Sequence, residues 1–299
     1  MAKPILKWVG GKTQLLDNVL GLFPTELENY HEPFLGGGSV LLAFLSEIQE
    51  GKRNLSGAVY ASDINPILIA LYKHVQNNVD GLIVELKQLE TQFRALTGTV
   101  VNRKATSVEE AKSSQESYYY WIRSQFNSLS DKTTLQASAT MVFLNKTCFK
   151  GLYREGPHGF NVPFGHYKNP TICDEGNLRA VSELIQPVVF ACESYEQSLS
   201  SVQAGDFVYL DPPYAPETDT SFDTYVAGGF PKEAHEKLFT MCQGFKQKQV
   251  QFLLSNANVP LVLNAFPEPQ YQVYLVAARR AIHSKDPSAT TNEVLITNE

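Results

Sequence analysis

Between Gly205 and Pro216 the chain reads GDFVYLDPPYAP. Phe207 to Leu210 has the length and composition of a buried strand, and an acid, two prolines and a tyrosine close it. Proline cannot donate to a sheet ladder, so the strand has to stop there. Its tip then carries a carboxylate, two rigid residues and a phenol. Taken alone, Asp before Pro is an ordinary turn start. A plain strand exit and a functional loop both fit the tetrapeptide, and the surrounding chain has to weigh between them.

The first 75 residues alternate helix and strand. Residues 10–23 set Leu15, Leu16, Val19, Leu20 and Phe23 at helical spacing behind a Gly-Gly entry. A short strand, YHEPF (30–34), runs into LGGGSV and then a helix over 40–48. AVYASD (58–63) is a second strand, and Asn65-Pro66 opens a further helix. This is an α/β signature. Residues 80–148 are mostly helical in period, with a polar stretch at 97–114 that reads as a long loop. The aromatics of SYYYWIRSQF (117–126) read as core. Residues 149–172 are rich in Gly, Pro, Asn and aromatics, which is hairpin and loop composition. The alternation resumes with a helix near 174–186 and strands at 187–191 and before Asp211. A loop at 214–229 and a helix from Pro231 follow, then strands at 250–255, 271–276 and 293–298. The simplest organisation is one α/β sheet interrupted by a mostly helical module of about 100 residues, the size of a small domain.

At 299 residues, with 43% hydrophobic and 19% charged residues, the chain is globular and not disordered. Its N-terminus has no apolar segment of the signal-peptide kind, and no apolar run approaches the roughly 20 residues that cross a bilayer. Cys148, Cys173, Cys192 and Cys242 are scattered, so they read as reduced core residues of a cytoplasmic protein, and no metal site is indicated. Net charge is −6, yet residues 90–168 hold ten Lys or Arg against six acids. An acidic body with one basic segment suits a nucleic-acid face, although a solvated helical surface fits the same charges.

The glycine run in EPFLGGGSV (32–40) lies between strand and helix, where glycines let backbone approach a ligand and the next helix offers its N-terminus. Asp63, at the end of the next strand, is placed to accept hydrogen bonds from ribose hydroxyls, or else to cap the helix that follows. Glycine loop, Asp63 and DPPY would then share the carboxyl edge of one sheet, where open α/β sheets bind ligands. No phosphate-binding loop is present, so the cofactor reads as a nucleoside without a pyrophosphate. DPPY itself suits methyl transfer to an exocyclic amine of a nucleobase. That nitrogen is a poor nucleophile until acceptors on its hydrogens free the lone pair. Asp211 supplies one acceptor, the Pro212 carbonyl another, and Tyr214 can stack on the base. Positioning does most of the work, and a base inside a duplex must first be flipped out.

KWVGGK (7–12), EPFLGGGSV (32–40), SDIN (62–65), GLYR (151–154), FNVPFGHYKNP (160–170) and DPPYAP (211–216) occur in this order. The ordered set resembles the Dam-type, α-group DNA N6-adenine methyltransferases. The resemblance implies a Rossmann-like S-adenosylmethionine-dependent methyltransferase sheet, with residues 1–75 and 173–299 as the catalytic domain. It implies that residues 76–172 form an inserted, mostly helical DNA-recognition domain with a β-hairpin. It implies cofactor contacts at Trp8, Lys12, Phe34, Gly36, Gly38, Asp63, Ser194, Tyr195 and Asp211. It implies catalytic roles for Asp211, Pro212 and Tyr214. DNA contacts are implied for Phe149, Lys150, Leu152, Arg154, Pro163, His166 and Lys168, with Arg154 at the guanine-reading position. The chain departs from the family's pattern at Lys150, where Asn is frequent, and at His166, where Arg is common. The stretch from Arg154 to Phe160 is also about a residue shorter than in some relatives. The implied partner is double-stranded DNA at a short palindrome, GATC first and CATG as the alternative, with a restriction endonuclease for the same site as a further partner. The other readings are a catalytically dead DNA-binding scaffold and a protein-glutamine methyltransferase.

Overall fold

A computed structural model describes residues 2–216, 230–279 and 290–299. The expected loop over 214–229 therefore lies mostly outside the described residues. The chain forms two units. One comprises residues 12–35, 39–64 and 187–299, the other residues 1–11, 36–38 and 65–186.

The first unit is built on a seven-stranded sheet. Its strands are β1 (Tyr30–Glu32), β2 (Val59–Asp63), β3 (Val188–Cys192), β4 (Phe207–Leu210), β5 (Gln251–Ala257), β6 (Gln272–Arg279) and β7 (Thr290–Thr297). They lie in the order 6-7-5-4-1-2-3. Neighbours from β3 across to β5 pair in parallel, and β7 runs antiparallel to both β5 and β6. The order reverses between β1 and β4, which makes the carboxyl ends of those two strands a topological switch point. β4 is buried on both faces, as its unbroken apolar run predicts. Side chains alternate across a strand. On one face Phe207 meets the edge of Phe23 at 4.6 Å between ring centroids, and Tyr30 stacks on Phe44 at 4.2 Å. On the other, Val208 and Leu210 join Phe252, Leu254, Val294 and Ile296 under the helix Lys232–Phe245. That helix turns Leu238, Phe239, Cys242 and Phe245 inward, at three- and four-residue spacing. Each large side chain so buried is worth about 1.5–3 kcal/mol.

The second unit is helical: Pro66–Asn77, Val79–Arg94, Gln115–Ser128, Leu135–Thr147 and Glu175–Leu184, with a small hairpin, Glu155–Gly156 with Gly159–Phe160. Asn65 caps the first helix, its Oδ1 accepting from the amides of Ile67 and Leu68, and Pro66 occupies the first turn. Tyr118, Tyr119 and Phe126 are buried, as expected of core aromatics. Tyr118 meets Phe143 edge-on, and Tyr119 Oη donates to the Val162 carbonyl at 2.7 Å. Asn127 then holds both backbone groups of Phe160, tying the hairpin to the helices.

Two local expectations change. Residues 10–23 form a 3₁₀ turn, Lys12–Gln14, and a short helix, Leu16–Leu20, in place of one helix, with the break at Leu15, whose φ −113° and ψ 8° lie outside the helical range. The stretch 97–114 contains a short helix, Val108–Ala111, capped by Ser107, and Thr99 bridges to Ser114. Among the described residues no helix is long and apolar enough to cross a membrane.

Candidate active site

The parallel strands bring Glu32, Asp63, Cys192 and Leu210 toward one edge, through the registers Glu32–Ala61 and Asp63–Cys192. At the switch point Asp211 leaves β4 and meets Lys12. Lys12 Nζ lies 2.7 Å from both Asp211 oxygens, with the lysine side chain 5% and the aspartate 19% exposed. The Lys12 amide donates to Ser39 Oγ at 3.1 Å, which fixes the turn carrying it. Burial pushes the Asp211 carboxyl above its ordinary range, and Lys12 pulls it back. A carboxylate offers about four lone-pair sites, so Asp211 keeps acceptor capacity beyond the lysine.

Tyr214 completes this cluster. Lys12 Nζ stands 4.9 Å from the centroid of its ring, a cation–π distance. Its hydroxyl donates to Glu293 Oε2 at 2.6 Å. Pro212 is buried between them in sequence, and Pro213 is exposed. The Ala215 amide donates to Asn256 Oδ1 at 3.0 Å, anchoring the loop to β5.

Glu32, at the end of β1, is 3% exposed and accepts from Tyr30 Oη at 2.6 Å. Burial raises its carboxyl to about 8, with Asp211 adding to the rise and the Tyr30 bond opposing it. At neutral pH Glu32 is therefore mostly protonated, and Asp211 is the carboxylate that faces Lys12. Glu32, Glu293 and Asn256 are site residues that sequence reasoning missed. A glutamate inside an apolar strand end was a usable signal for Glu32; Glu293 and Asn256 had none.

Other expected residues fall beside this cluster. Phe34 stacks on Tyr195 at 5.5 Å, and both contact Phe230. Ser194 caps the short helix Tyr195–Ser200 in a capping box with Gln197, so its hydroxyl has a local task. Asp63 ends β2, half-buried, and its carbonyl accepts from the Glu193 amide. The side chain that caps the helix after it is Asn65.

In the helical unit the glycine loop packs on Trp8 and Tyr72. Gly36 and Gly38 take φ +49° and +66°, and a Cβ at Gly37 would lie 2.8 Å from Trp8 Cβ, while one at Gly38 would collide with Tyr72 Oη. The glycines thus admit protein side chains on the side a Cβ would occupy. Trp8 stacks on Tyr153 at 5.2 Å. The expected DNA-contacting residues lie on two strapped loops: the Phe149 amide donates to the Pro163 carbonyl, and Asn161 bonds Arg154 through backbone and side chain. Phe149, Lys150, Arg154, Pro163, His166 and Lys168 are exposed there, and Leu152 is half-buried. Lys150 and His166 both adopt φ +55°.

A mostly parallel sheet whose switch point holds a lysine-paired aspartate and a tethered tyrosine is an α/β architecture with a candidate ligand site at its carboxyl edge. A family model described as D12 class N6 adenine-specific DNA methyltransferase matches residues 8–282. Over 292 residues the chain is 38% identical to the Type II methyltransferase M.MjaIII of Methanocaldococcus jannaschii, covering 95% of this chain and 93% of that protein. It is 31% identical over 284 residues to the DNA adenine methylase of Escherichia coli, covering 94% and 90%. The chain belongs to the D12 class of N6 adenine-specific DNA methyltransferases, as its ordered motifs led us to expect.

Proposed function

We propose that this adenine-specific DNA methyltransferase takes its methyl group from S-adenosylmethionine and acts on an adenine flipped out of a short palindrome, GATC first and CATG as the alternative. The observation that carries the reading is the Lys12–Asp211–Tyr214 cluster at the switch point. Asp211 and the Pro212 carbonyl accept the two amino hydrogens of the base and free the nitrogen lone pair. Lys12 offsets part of the burial that raises the Asp211 carboxyl, and the rise at Glu32 favours its neutral form beside it. Tyr214 stacks on the base and holds its edge toward those acceptors.

The residues present suit a nucleoside cofactor. Asp63 would accept from ribose hydroxyls, and the Phe34–Tyr195 pair offers aromatic faces for an adenine. Trp8, Lys12, Gly36 and Gly38 are assigned to its methionine end and Ser194 to its adenine. S-adenosylmethionine supplies an activated methyl group on a sulfonium. Residues 1–75 and 173–299 are assigned to catalysis and 76–172 to target recognition, with Arg154 reading a guanine. Phe149, Lys150, Leu152, Pro163, His166 and Lys168 complete the DNA contacts. A restriction endonuclease blocked by the same mark is the partner this reading invites.

The test is expression in cells lacking adenine methylation, with the modified base and its context mapped by single-molecule sequencing. N6-methyladenine in one palindromic context supports the reading, and an unmodified genome from well-expressed protein overturns it. A different context would replace GATC.

A further inference from the structure

The antiparallel strand β7 does something the parallel strands cannot. Parallel strands present their last residues at the carboxyl edge. β7 runs the other way, so an early residue, Glu293, arrives there, level with Ala257 at the end of β5. β7 is an interior strand: Glu293 pairs with Ala257 on one side and with Val276 on the other. Its backbone is therefore fixed in a two-sided ladder, and its half-buried side chain reaches Tyr214 Oη at 2.6 Å. That length is typical of a hydroxyl donating to a charged carboxylate.

Next to it, on β5, Asn256 is fully buried. Its Oδ1 accepts from the amides of Ala215 and Ala257, and its Nδ2 has no partner among the described residues. Tyr214 is thus fixed at three points: the following peptide by Asn256, the ring by Lys12, and the ring tip by Glu293.

We propose that Glu293 is a positioning residue for the reaction, which holds the Tyr214 ring by its hydroxyl at the angle that receives the flipped base. The proposal rests on the reading of Tyr214 as the base-stacking residue. It explains why a stacking residue is tyrosine, because phenylalanine offers the same face without the tether. Pre-set ring orientation spares the chain an ordering cost at the moment the base arrives.

The experiment compares Tyr214→Phe, Tyr214→Ala, Glu293→Ala, Glu293→Gln and the double variant Glu293→Ala/Tyr214→Phe. Single-turnover methylation of a duplex is measured, with DNA affinity, cofactor affinity and thermal unfolding as controls. A bond to a charged acceptor predicts that Tyr214→Phe and Glu293→Ala each slow transfer by about ten- to a hundredfold, with DNA affinity held. The double variant should be no slower than the worse single, since one bond is removed either way. Glu293→Gln, whose amide oxygen still accepts, should recover most of the rate. Tyr214→Phe leaves the strand untouched, so a wild-type rate in that variant overturns the proposal even if Glu293→Ala fails to fold. Additive losses in the double variant overturn it as well. A wild-type rate in Tyr214→Ala overturns the stacking reading itself, whereas loss in Tyr214→Ala without loss in Tyr214→Phe overturns only the role of Glu293.

Discussion

Glu32→Gln should make the protein more stable, by an amount that grows with pH. In the folded protein burial lifts the Glu32 carboxyl from an ordinary 4.5 to about 8. The folded state therefore holds this proton more tightly than the unfolded chain. The associated stability is complete below pH 4.5 and is lost as pH rises through 8. The full loss is about 5 kcal/mol at 1.36 kcal/mol per pH unit, and about 3 kcal/mol of it falls between pH 6 and 9. Glutamine is isosteric with the protonated acid and cannot ionise, and its amide oxygen can accept the Tyr30 hydroxyl that now bonds Glu32 Oε2. Groups common to both proteins cancel in the difference. Urea midpoints of wild type and variant, taken from pH 6 to 9 and converted with a common slope, should diverge by about 3 kcal/mol in favour of the variant. Parallel curves would refute a protonated Glu32.

Lys12→Met should cost about 3–5 kcal/mol of stability, because it leaves Asp211 buried without its partner, and should abolish methyl transfer near neutral pH; thermal unfolding and a single-turnover assay check both. His235, fully buried against Phe230 and Phe239, has its imidazole lowered from 6.5 to about 4 by burial. A lowered histidine contributes stability above pH 6.5 that is lost as pH falls toward 4, about 3 kcal/mol in all, so His235→Phe should flatten that acid limb in pH-dependent unfolding. Arg154→Ala should slow methylation of the true site by about ten- to a hundredfold and relax one guanine requirement in a panel of base-substituted duplexes. In the same panel Lys150→Ala should weaken all DNA alike and lower the salt slope by about one if its contact is a phosphate, since Lys150 is exposed on its loop.

What the chain determined locally is considerable. An apolar run closed by two prolines must be a strand that stops at Asp211, whatever surrounds it. Asn65-Pro66 must start a helix, and Asp63 and Asp211 must stand at or just past the ends of their own strands. These follow from signals within a few residues, which is the range over which backbone sterics and side-chain alternation act. Strand order and direction do not lie within that range. Only the folded sheet places β7 in reverse between β5 and β6, and so carries Glu293 across 79 residues of sequence to the hydroxyl of Tyr214. Only packing decides that Lys12 grips both oxygens of Asp211 and that Trp8 and Tyr72 take the space the glycines leave. Likewise, a glutamate in a sequence is an acid of ordinary strength. It is the exclusion of water around Glu32, a property of every residue packed on it at once, that lifts its carboxyl to about 8.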